Sequence, residues 1–188
     1  MGKLLIIICA ITFALAGCSK DTKAYEQNGI QETKISPTAK VTEGDFIYRL
    51  VSEKPIYNKG EKVNVYSELE YVGNEKEIRI AHSASPFSFP MKEKTRGFDI
   101  VYMMEQPRIE TVLKKGEPLR EYYRGGGGYG SQDPKEYIDF IEAIAEASQK
   151  GTLPRGEYEV SGVAEFQPLD GLAGELKSMK AKIEFNVE

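Results

Sequence analysis

Glu157-Tyr158-Glu159-Val160-Ser161-Gly162-Val163-Ala164-Glu165-Phe166 decides how this chain is read. Tyr158, Val160, Gly162, Ala164 and Phe166 fall on one face, and Glu157, Glu159, Ser161 and Glu165 fall between them. Successive side chains of an extended chain point to opposite faces, so this alternation marks a strand with one face buried and one in water. The same period recurs in both directions. Towards the C-terminus, Met179, Ala181, Ile183, Phe185 and Val187 alternate with Lys180, Lys182, Glu184 and Asn186. Towards the N-terminus it is carried by Phe46, Tyr48 and Leu50, by Val63 to Tyr71, by Ile78 and Ile80, by Phe98 to Met104, and by Ile109 to Leu113. Turn signals separate these runs at Asn58-Lys59-Gly60, Gly73-Asn74 and Lys114-Lys115-Gly116. About seven such strands predict an all-β chain, an antiparallel β-sandwich over 45–188.

One segment breaks the period. Asp133-Pro134-Lys135-Glu136 has the makings of a helix start, with an N-cap acid, a proline at the first helical position and a glutamate at the third. Tyr137, Ile141, Ile144 and Ala145 follow at helical spacing with Phe140 beside them, and Lys150-Gly151 is a stop signal. A single α-helix over 133–150 is expected, inserted between strands.

The first 44 residues read differently. Lys3 is followed by an apolar run from Leu4 to Leu15, only 12 residues long, where a membrane-spanning helix needs about 20. A charged start, a short apolar middle and small residues after it make a secretory signal, here 1–17. Leu15-Ala16-Gly17-Cys18 resembles the lipobox of bacterial lipoproteins. The resemblance implies a diacylglyceryl group on the Cys18 thiol and cleavage ahead of it. Two acyl chains hold a protein stably at a bilayer. Residues 18–44 then read as a polar tether without periodicity. The expected localisation is the extracytoplasmic face of the cell membrane, and Ser19 after Cys18 does not exclude an outer membrane.

Two further stretches carry a second resemblance. Tyr57-Asn58-Lys59-Gly60-Glu61 with the alternating Val63 and Val65, and Leu153-Pro154-Arg155-Gly156-Glu157-Tyr158, resemble bacterial Ig-like domains. The nearest named type is the Ig-like fold of the intracellular proteinase inhibitor family of Gram-positive bacteria. The resemblance implies an Ig-like fold for 45–188 and carries over no functional residue. The chain has no tryptophan, so the buried Trp of immunoglobulin sandwiches is absent.

Composition narrows the chemistry. The whole chain carries 25 Lys and Arg against 29 Asp and Glu, a net charge of −4. Loss of residues 1–17 removes Lys3, leaving 24 bases and a net charge of −5. That balance argues against nucleic acid, which needs a basic face. The two cysteines are Cys9, lost with the signal, and Cys18. The exported domain therefore has no thiol for a disulfide, a nucleophile or a metal. With His82 its one histidine, only oxygen ligands remain for a metal, and no metal or other cofactor is expected.

Candidate chemistry is correspondingly thin. Gly125, Gly127 and Gly130 match G-x-G-x-x-G, but a dinucleotide site needs that turn between a parallel strand and a helix. A loose glycine loop is the expectation here. His82 lies in phase with Ile78 and Ile80, as a structural histidine would; Ser83 and Ser85 nearby do not make a nucleophile without an orienting third group and an oxyanion hole. Asp170-Gly171-Leu172-Ala173-Gly174-Glu175 lacks the alternating oxygen ligands of a calcium loop. What remains is aromatic: Tyr122, Tyr123 and Tyr129 around the glycines, with Phe87 and Phe89 in Ser85-Pro86-Phe87-Ser88-Phe89-Pro90. Aromatics beside flexible glycines can form an adaptable recognition surface. The expected function is a binding or interaction module on a lipid anchor, facing an envelope protein or glycan, and not an enzyme. The alternatives are an envelope-polymer hydrolase working through paired carboxylates and a structural accessory lipoprotein of a larger assembly.

Overall fold

The computed structural model describes residues 36–170 and 174–188; the expected signal sequence over 1–17, Cys18 and most of the expected tether lie outside the described residues. In chain order the elements are β1 (Thr38–Glu43), β2 (Phe46–Ser52), β3 (Ile56–Tyr57), β4 (Val65–Tyr71), β5 (Glu77–His82), β6 (Phe87–Ser88), β7 (Met91–Glu93), β8 (Phe98–Ile100), β9 (Ile109–Lys114), β10 (Leu119–Tyr122), α1 (Lys135–Gln149), β11 (Gly156–Pro168) and β12 (Lys177–Val187). One sheet has the order β1-β2-β4-β10, the other β3-β12-β11-β5-β9, with β6, β7 and β8 joined to the second. The pairings are antiparallel except β3 with β12. This is the all-β sandwich with one inserted helix that the alternation predicts.

The two faces meet through large side chains. Tyr48, Leu50 and Leu69 from one sheet pack on Phe87, Val160, Ala164, Phe166 and Phe185 from the other, all fully buried. Phe46 meets Phe166 edge-on, ring centres 4.8 Å apart. The sheets approach tightly at Gly162, where a Cβ would sit 2.5 Å from Tyr48 Oη and 2.9 Å from the Leu50 methyls. A side chain is missing there because the facing strand fills its space. β11 and β12 form the spine, in register from Gly156↔Val187 to Phe166↔Lys177. The other edge of β11 takes β7, β6 and β5 in turn. Those three are pieces of one run interrupted at Pro86 and Pro90, which have no N–H to give a neighbour.

Two side chains brace the start of β11. The Tyr158 hydroxyl donates to Pro154 O at 2.7 Å, the strand-corner bond found in immunoglobulin-type sandwiches. Glu93 is fully buried and accepts from the backbone amides of Thr95 (2.9 Å), Arg96 (2.8 Å) and Glu157 (3.2 Å). Arg96 Nη1 lies 3.1 Å from the same carboxylate. Burial pushes its pKa up, but the Thr95 side chain, these amides and Arg96 outweigh burial and hold it below the ordinary value.

Several local expectations need correction. The sandwich begins at Thr38, inside the stretch read as tether over 18–44: β1 pairs with β2 from Thr38↔Val51 to Glu43↔Phe46. As an edge strand it half-buries only Ala39 and Val41, too few apolar residues to stand out. The expected strand through Tyr102 and Met104 stops at Ile100. Beyond it Val101 O and Glu105 O are each met by a single amide, from Gly127 and Ala84. Asp133 does not cap α1. Its carboxylate turns back to accept from Gly130 N at 2.7 Å, and the helix starts one residue later on Pro134 O. The buried stripe is Phe140, Ile141 and Ile144, with Ala145 exposed. At the other end Gly151, at φ +70°, closes the helix as expected. Its N–H bonds Ser148 O, and Thr152 N–H bonds Ala147 O, the paired bonds of a Schellman cap.

Candidate functional site

The predicted aromatic cluster is only partly assembled. Cys18 lies outside the described residues. Phe87 and Phe89 are 0% and 1% exposed, so neither can meet a partner. They continue the period of Phe87, Phe89, Met91 and Glu93, all four buried, which the flanking prolines disguised as a loop. Phe87 stacks on Tyr48, and Phe89 lies edge-on to Tyr102 and Tyr123. Tyr129 is half-exposed, but its hydroxyl donates to Glu142 at 2.8 Å. Glu142 stands six residues before Ser148, about 9 Å along the helix, so Tyr129 is not brought beside Tyr122.

The glycine run is not a loose loop. Gly127 N–H donates to Val101 O at 2.7 Å. A Cβ on Gly127 would lie 3.0 Å from Ile141 Cγ2, and one on Gly128 would lie 2.9 Å from the Met103 methyl. Gly125 and Gly127 have φ of +117° and +102°, conformations that a side chain disfavours. Gly125 and Gly127 lie against Ser148 and Ile141 of α1, Gly126 and Gly128 against Val101 and Met103, and the Tyr137 hydroxyl sits 2.9 Å from Asp99 O and 3.2 Å from Gly128 O, between the two segments.

Tyr122 and Tyr123 border a cleft of about 560 Å³ between the end of β10, the residues entering β4 and the last turn of α1. Tyr122 leans on Tyr66, ring centres 5.4 Å apart, and leaves 42% of its surface open. Tyr123 points inward. Its hydroxyl and that of Ser148 are both buried without an aligned partner. Burial pushes the Tyr123 phenol up to about 12, with Ser148 close enough to draw it slightly down. Val63 N–H donates to Gly151 O at 2.9 Å, tying the two walls together. The bases on the lining are Lys62, Arg124 and Lys150, and no carboxylate is among the lining residues. Lys150 pairs with Glu146 at 2.9 Å. Among the described residues, neither Lys62 nor Arg124 has an acid within ion-pair distance.

The remaining candidates are used structurally. His82 Nδ1 lies 2.7 Å from Ser83 O and its Nε2 lies 2.8 Å from Thr111 Oγ1. A carbonyl only accepts, so Nδ1 carries a proton. Ser85 Oγ accepts from Phe87 N and so is not aligned as a nucleophile. Asp170 clamps Arg79, accepting from its backbone N–H at 2.9 Å and its guanidinium at 2.8 Å. Among the described residues no group of three or more His, Cys, Asp or Glu could hold a metal ion, and no helix is long and apolar enough to cross a membrane. No protein-family model, curated protein or solved structure matches the chain.

Proposed function

We propose that the chain is a membrane-anchored extracytoplasmic lipoprotein, held by lipid on Cys18, whose sandwich presents a binding module. The binding site is the cleft beside Tyr122 and Tyr123. The observation that carries this reading is two bases without acid partners, Lys62 and Arg124, on a lining without carboxylates in a chain of net charge −4. Charged side chains left unpaired around a concavity favour an occupant that pairs with them. A volume near 560 Å³ falls within the range of small-ligand sites, roughly 300–1,000 Å³. The partner is an envelope component, a glycan or the exposed part of a protein.

The test uses the mature chain from Cys18, carrying Cys18→Ser so that it stays free of lipid, immobilised and exposed to fractionated envelope of its host. The parent should retain a component that Tyr122→Ala and Arg124→Gln both release. Equal retention by parent and variants would place the binding surface elsewhere.

A further inference from the structure

Resting on that reading of the cleft, we propose that its ligand is an acidic saccharide unit, with the sugar ring laid on Tyr122 and the acid group held between Lys62 and Arg124. Each part of the lining answers to one part of such a molecule. Tyr122 offers an open aromatic face, and the C–H faces of sugar rings pack on such surfaces. The amides of Asn64 and Gln149 are donors and acceptors for sugar hydroxyls. Val63 is the one aliphatic residue of the lining apart from the stems of the long polar side chains, which argues against an acyl chain or other greasy occupant.

The bases are placed rather than loose. Gly151 has no side chain, and the stem of Lys62 passes where one would be, its Cγ 3.5 Å and its Cε 3.6 Å from the missing Cβ. The backbone bond from Val63 N–H to Gly151 O holds Lys62 beside the helix end. That lays its stem along the helix end beside the cleft, at a reduced cost in side-chain freedom when the ammonium is engaged. Arg124 directly follows the two tyrosines and precedes Gly125, whose absent Cβ would lie 3.1 Å from Ser148 Cβ. A guanidinium and an ammonium on one rim give charge-assisted hydrogen bonds, about twice as strong as neutral ones. Glu146 is taken by Lys150, and Glu53, which accepts from Asn64 Nδ2 at 2.7 Å, forms no ion pair with Lys62 or Arg124 among the described residues.

Amide chemical shifts of the unlipidated mature chain are followed during titration with two matched pairs, a galacturonate disaccharide against a galactose disaccharide and glucose 6-phosphate against glucose. Inorganic phosphate serves as a control. At least one acidic member should shift the amides of Lys62, Asn64, Tyr122, Arg124 and Gly151, binding about tenfold or more tightly than its neutral partner. Arg124→Gln and Lys62→Gln should each remove most of that preference and its dependence on salt, whereas Tyr122→Ala should weaken acidic and neutral members alike. Equal binding of the two members of both pairs would overturn the acid group while leaving a sugar site. Phosphate binding as tightly as glucose 6-phosphate would overturn the sugar. Silence of the cleft amides with every probe would overturn the proposal outright. Retention of an envelope component that the cleft variants release would still stand in that case, so the two readings fail separately.

Discussion

Replacing Glu93 with Gln should cost more than any surface change in this protein, and the geometry says how much. One carboxylate oxygen accepts from Thr95 N and Glu157 N, the other from Arg96 N with Arg96 Nη1 beside it. A carboxamide presents an NH2 at one of those positions, donor against donor, in a place closed to water. Each buried donor left unmet costs about 1–3 kcal/mol, so a loss of about 2–4 kcal/mol is expected. Urea unfolding of parent and variant at neutral pH measures it. The pH dependence gives an independent check. The folded-state pKa of Glu93 lies below the ordinary value of 4.5, so its stabilisation is fully present above that pH. It is lost as the pH falls through the folded-state pKa, because the unfolded chain then binds the proton more readily. The gap between parent and variant should therefore narrow on acidification below about pH 4.5 and stay constant above it. A difference under about 1 kcal/mol, or one that widens in acid, would refute the reasoning.

Gly162→Ala should destabilise by about 1–3 kcal/mol as an overpacked core position, measured by the same unfolding, because Tyr48 and Leu50 occupy the space. Tyr129→Ala should change stability by less than about 1 kcal/mol despite its bond to Glu142, as expected of a half-exposed side chain; a larger loss in thermal unfolding would make it part of the core. Cys18→Ala should abolish labelling by a palmitate analogue in cells and block processing, and undiminished labelling would remove the anchor.

The sandwich was legible where a strand has one dry and one wet face. The pattern from Tyr158 to Phe166 reads directly as burial, and Phe46 to Ser52 does the same. It failed at the margins for reasons that are themselves physical. β1 is an edge strand, and edge strands are kept polar, so Thr38-Ala39-Lys40-Val41 looked like tether. Pro86 and Pro90 broke the hydrogen-bond ladder without breaking the alternation, so the buried Phe87 and Phe89 passed for surface aromatics. The glycines at 125–128 looked slack because the absence of a side chain does not reveal what presses against it; the helix does at Gly125 and Gly127, and residues 101–103 do at Gly126 and Gly128. Of the candidate site, Tyr122 and Tyr123 were legible. Lys62, Ser148 and Lys150 were not, since they come from a turn and a helix end that only the packing of α1 beside β10 brings together.

The closing strand has a consequence for how the protein is made. β12 is the only partner of β3 among the described residues, the long partner of β11, and the donor that reaches Ser36 O from Glu184 N at 2.9 Å. A growing chain therefore cannot complete its second sheet until residues 177–187 have been made. Contacts this far apart in sequence form slowly. A polypeptide closed by its twelfth strand keeps its second sheet open while β1 to β11 are being made.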